Sequence, residues 1–78
     1  MSWNYRIVRY SDGSGFGLHE VYYDADGKPE AMSVEPATFT ADETVGRYGL
    51  VRAMQMAEAA KRRPVFDEPA EWDEGNLR

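Results

Sequence analysis

Residues 16–29, FGLHEVYYDADGKP, run from an aromatic and β-branched stretch into an acidic turn and then a proline. The alternation from Phe16 to Tyr23 has a period of two, which predicts a strand. Asp24 suits the start of a type I turn, and Gly27 suits a closing bulge, where the left-handed backbone disfavours any residue with a Cβ. Pro29 has no N–H to give to a ladder, so the strand it opens belongs at a sheet edge. That strand is expected from Glu30 to Glu35, with Met32 and Val34 on one face and Pro36 as its stop.

Upstream, Trp3 to Tyr10 reads as another strand, with Trp3, Tyr5 and Ile7 on one face and Asn4, Arg6 and Val8 on the other. Ser11-Asp12-Gly13-Ser14-Gly15 supplies the hairpin loop. If Asp12 and Gly13 form its tip, Ile7 pairs with Leu18, Tyr5 with Glu20 and Trp3 with Tyr22; a one-residue slip would exchange the two faces. Downstream, Thr40-Ala41-Asp42-Glu43 matches a capping box, a hydroxyl followed three residues later by a carboxylate, and Pro64 ends the helix it begins. Leu50, Ala53, Met54, Ala57 and Lys61 recur at helical spacing and predict the stripe that packs on the sheet. The expected fold is α+β: a three-stranded antiparallel meander with one C-terminal helix packed across it, βββα, over residues 1–66.

Residues 67–78 change character. Asp67, Glu68, Glu71, Asp73 and Glu74 are interleaved with Trp72 and broken by Pro69. The mixture reads as an acidic C-terminal tail: either Val65 and Phe66 pack under the helix while the rest stays in solvent, or the segment resembles an interaction tail that orders on a partner.

The chain has 78 residues, enough for one core. Fourteen acids oppose nine bases, and there is no cysteine. That excludes a disulfide framework and thiolate metal sites, and it favours a reducing compartment. MSWNYRIVRY lacks the apolar segment of a secretory leader, and no apolar run approaches the roughly 20 residues that cross a bilayer, so a cytoplasmic location is expected and no membrane partner. A net charge of −5 argues against direct nucleic-acid binding, which needs a basic face, and points toward basic partners.

Candidate chemistry is sparse. His19 is the lone histidine, and Glu20 beside it in a strand points to the opposite face, so the two form no dyad; His19 reads as a half-buried strand residue or a surface contact. Asp24 and Asp26 lack the remainder of a calcium loop and read as turn residues. The glycines of Gly13-Ser14-Gly15-Phe16-Gly17 precede a strand rather than a helix, which excludes a phosphate loop. Neither an enzyme nor a metal or cofactor site is expected. Trp3, Tyr5, Tyr10, Tyr22 and Tyr23 suit packing or protein contact, since the basic groove needed for stacking on bases is missing.

Together MSWNYRIVR, LHEVYYDADGKP and a helix running into RRPVFD resemble a family of short uncharacterised bacterial and phage proteins. The resemblance covers most of residues 1–67 and implies a fold but no activity. This chain departs from that pattern in its Ala- and Gly-rich helix and in its acidic extension. Small acidic proteins without cysteine or catalytic residues are also similar to anti-CRISPR inhibitors, which place carboxylates where a nucleic-acid-binding machine expects phosphates. That resemblance implies a non-enzymatic inhibitor acting in a host cytoplasm and binding a basic surface of a CRISPR effector complex. Its contacts would be Asp24, Asp26, Glu30 and Glu35, with Tyr22 or Tyr23 as an aromatic anchor. The alternative is a bacterial interaction module whose sheet edge or face pairs with another protein or a second copy, without mimicry of nucleic acid.

Overall fold

The computed structural model describes residues 2–39 and 46–78. Strands β1 (Ser2–Arg9), β2 (Phe16–Tyr23) and β3 (Pro29–Met32) form the expected meander. Ile7 opposes Leu18, Tyr5 opposes Glu20 and Trp3 opposes Tyr22. The register follows from the loop: the Tyr10 N–H donates to the Gly15 carbonyl at 2.9 Å and the Gly13 N–H to Tyr10 O at 3.2 Å. Asp12 Oδ1 accepts from the Ser14 N–H at 2.8 Å and sets the tip.

The second turn obeys the same logic. The Gly27 N–H donates to Asp24 O at 3.0 Å, Gly27 has φ 79°, and the pairing shifts by one residue between Tyr22 and Tyr23. Asp24 Oδ1 accepts from both the Asp26 and the Lys28 N–H at 2.9 Å. β3 ends at Met32 rather than Glu35, although the Ser33 N–H still donates to Glu20 O at 2.8 Å.

The sheet has four strands rather than three, in the order β3-β2-β1-β4, and it is mixed. β4 (Phe66–Asp67) lies parallel to β1, with Val8 opposite Phe66 and Arg9 opposite Asp67. The stretch expected as an acidic tail is therefore part of the domain. From β4 the chain passes through Trp72 and a 3-10 turn, Glu74–Asn76, to the other edge of the sheet, where Leu77 bridges Met32 in parallel. There the Arg78 N–H donates to Met32 O at 2.8 Å and the Val34 N–H to Arg78 O at 3.3 Å.

The physical reason is the spacing of Phe66, Trp72 and Leu77. A meander leaves one apolar face uncovered, and these three side chains pack with Tyr10 and Tyr23 against the buried Val8, Val21 and Met32. The acids between them are used locally. Asp73 accepts from the Gly75 N–H at 2.9 Å and Asn76 Oδ1 from the Asp73 N–H at 3.1 Å, a reciprocal cap that shapes the turn. Glu68 Oε1 accepts from the Ser11 N–H at 3.0 Å and holds the strap to the first hairpin.

Helix α1 (Arg47–Glu58) continues into a 3-10 turn, Ala59–Arg62, and both contact β1. The expected capping box, Thr40 to Glu43, lies outside the described residues. The packing stripe is rotated from the expected one: Leu50, Ala53 and Ala57 are half-buried and Ala60 is buried, while Met54 and Lys61 are exposed. Small alanines allow the close approach that a lysine stem would block.

Candidate protein-binding surfaces

The residues expected to form an acidic array sit in different local settings. Asp24 spends a carboxylate oxygen inside its own turn, whereas Asp26 at the tip is exposed. Glu30 lies 3.7 Å from the Arg78 guanidinium, and its carbonyl accepts from Asn76 Nδ2 at 2.9 Å. Glu35 is exposed beyond the end of β3. Tyr22 and Tyr23 point to opposite sides of the sheet, as neighbours in a strand must. The Tyr22 hydroxyl donates to Glu20 Oε1 at 3.3 Å. Burial and the neighbouring Glu20 charge raise the Tyr22 phenol above its usual range, and the same two causes raise Tyr5. On the other side the Tyr23 hydroxyl donates to Asn4 Oδ1 at 2.7 Å and accepts from the Arg6 guanidinium at 2.9 Å. Tyr23 is thus tied into the fold.

His19 is a core residue, only 1% exposed, rather than the half-buried or surface residue expected. Its Nδ1 lies 2.9 Å from the Ser33 carbonyl and its Nε2 2.8 Å from the Tyr10 hydroxyl. A carbonyl only accepts, so Nδ1 carries the proton, and in the neutral ring Nε2 accepts from Tyr10. The ring fills the role of a polar crosslink between β1, β2 and the end of β3. Gly17 makes room for it: a Cβ there would overlap the Tyr10 hydroxyl.

The surface that sequence reasoning missed is the outer side of α1. Tyr48 is 84% exposed, Val51 45% and Met54 55%. None of the twelve helix residues is fully buried. At about 100° per residue, Tyr48, Val51, Gln55, Glu58 and Arg62 fall on one side, opposite Leu50, Ala53, Ala57 and Ala60. A shallow groove of about 500 Å³ runs along it, lined by Val51, Met54, Gln55, Glu58, Ala59 and Arg62. In the sequence this surface is signalled by Tyr48, Val51 and Met54, apolar residues at three-residue spacing.

Charge is segregated between the two parts. Residues 46–63 carry Arg47, Arg52, Lys61, Arg62 and Arg63 against Glu58 alone, whereas residues 2–39 and 64–78 carry eleven acids against four bases. Glu58 is itself paired with Lys61 at 3.3 Å. Among the described residues no group of histidine, cysteine and carboxylate side chains is placed to hold a metal ion, and no helix is long and apolar enough to cross a membrane. No family model, curated protein or solved structure matches the chain.

Proposed function

We propose that this chain is a non-enzymatic protein-binding domain that docks through the outer side of α1. One observation supports the reading above others: Tyr48, Val51 and Met54 stand in solvent on a helix whose opposite side already meets the sheet. Scattered exposed apolar side chains are ordinary, but a continuous helical stripe rimmed by charge is what a docking helix presents.

A second reading is favoured by the segregation of charge. The acid-rich sheet side, through Asp24, Asp26, Glu30 and Glu35, would block a basic nucleic-acid-binding surface of a CRISPR effector in the manner of an anti-CRISPR inhibitor. Site-specific photo-crosslinking in cells separates the two. Discrete adducts from a crosslinker at position 51, lost on Met54→Glu, are the expected result. Adducts from positions 26 and 35 with none from 51 would overturn the helix reading in favour of the acidic one.

A further inference from the structure

Resting on that reading of α1, we propose that its occupant is an acidic amphipathic helix of a partner protein, laid along the groove beside Val51 and Met54. The stripe from Tyr48 to Arg62 is about 20 Å long at about 1.5 Å per residue, the length of a few helical turns. Its centre is apolar and its borders are basic: Arg47, Arg52 and Arg62 are exposed, and none of them has an ion-pair partner among the described residues. A helix with leucine-like anchors at three- and four-residue spacing and carboxylates on its flanks complements that pattern in both shape and sign.

The other occupants fit less well. A second copy docked here would set the five bases of residues 46–63 against the same five, with Glu58 already engaged by Lys61. An anionic lipid surface would meet the basic stripe, but also the eleven acids of residues 2–39 and 64–78. A helical partner needs to approach only the stripe, so it gains the local attraction without the wider repulsion.

The test uses two synthetic amphipathic peptides with identical leucine positions, one with glutamate and one with lysine at its flanks, titrated into the isotopically labelled full chain. Exposed ion pairs are each worth up to about fivefold in affinity, so three arginines predict that the glutamate peptide binds roughly tenfold or more tightly. Its amide shifts should map to Tyr48–Arg62. Arg52→Glu combined with Arg62→Glu should reverse the preference while the amides of residues 2–39 stay in place, which verifies the fold in the same spectrum. Equal binding of both peptides to α1 would overturn the acidic occupant and leave α1 as a docking element. Absence of shifts at α1 with either peptide at millimolar concentration would overturn a helical occupant, and crosslinking from position 51 would then decide on docking itself.

Discussion

Gly17→Ala tests whether the Tyr10–His19 crosslink holds the core. On an ordinary strand position the change would stabilise by about 0.4–1 kcal/mol, because alanine restricts the unfolded chain. Here the added Cβ would overlap the Tyr10 hydroxyl and lie 2.9 Å from Tyr10 Cζ and 3.2 Å from His19 Nε2. Tyr10 must swing away. His19 Nε2, on a side chain 1% exposed, then loses its partner, and an unsatisfied buried group costs about 1–3 kcal/mol. The edge-to-face contact of the two rings, with centroids 5.5 Å apart, is lost as well, for about 0.5–1.5 kcal/mol. The net cost is about 1–4 kcal/mol, a large part of what a domain this size has.

Urea unfolding reads it directly: with a slope of about 1 kcal/mol per molar, the midpoint should fall by roughly 1 M or more. In a Tyr10→Ala background the obstacle is gone, and Gly17→Ala should become neutral or stabilising. An unchanged or raised midpoint in the wild-type background would refute the argument. So would an equal cost in both backgrounds, which would place the strain somewhere other than Tyr10.

Three further expectations concern the strap, the titrating tyrosines and the second turn. Trp72→Ala removes a half-buried ring that packs on Val8, Val21 and Met32 and lies 5.6 Å from the Phe66 ring; it should cost about 2 kcal/mol and lower Tm by about 10 °C, and an unchanged Tm would show that residues 67–78 are not structural. Tyr5 and Tyr22, raised by burial and then by Glu20, favour the neutral phenol in the folded state, so their contribution is fully present below the ordinary tyrosine value near 10 and is lost as pH rises through the raised one. Glu20→Gln should move both ionisations down in an ultraviolet titration; no movement would leave burial as the whole cause. Asp24→Ala breaks two turn hydrogen bonds and should cost about 1 kcal/mol in chemical unfolding, whereas Asp26→Ala should stay within about 0.5 kcal/mol. Equal effects would contradict the assignment of Asp24 to the turn.

The meander was legible because its information is local. Strand alternation, Asp-Gly at both turns and Pro29 at the edge each act within a few residues, and the pairing of Ile7 with Leu18 follows from the loop alone. The strap was not legible for the opposite reason. Five acids around two aromatics suggest disorder by composition, and the decisive facts are contacts between residues far apart in sequence: Phe66 beside Val8, and Leu77 beside Met32. One local signal did exist, the cap of Asp73 and Asn76, in which a carboxylate and an amide three residues apart exchange hydrogen bonds with the backbone. His19 was misplaced because the sequence names its neighbours on the strand but not Tyr10 above it or Ser33 beside it.

Where a partner can bind follows from which parts of the sheet the chain already uses. The β3 edge is taken by Leu77 and Arg78, the β1 edge is taken by β4 at Val8 and Arg9, and the Arg63 guanidinium donates to Tyr5 O at 3.4 Å farther along it. Strand addition, which needs a free row of backbone groups, therefore has little edge to use. Several exposed aromatics have partners inside the chain: Trp3 and Phe39 each meet the Tyr5 ring edge-on, and the Arg9 guanidinium lies 5.4 Å from the centre of Phe16. No ring or cation contact of this kind engages Tyr48 among the described residues, and Val51 and Met54 beside it extend the same apolar ground. The C-terminal segment thus closes the sheet edges, and the side of α1 with Tyr48, Val51 and Met54 is the surface on which the proposed docking rests.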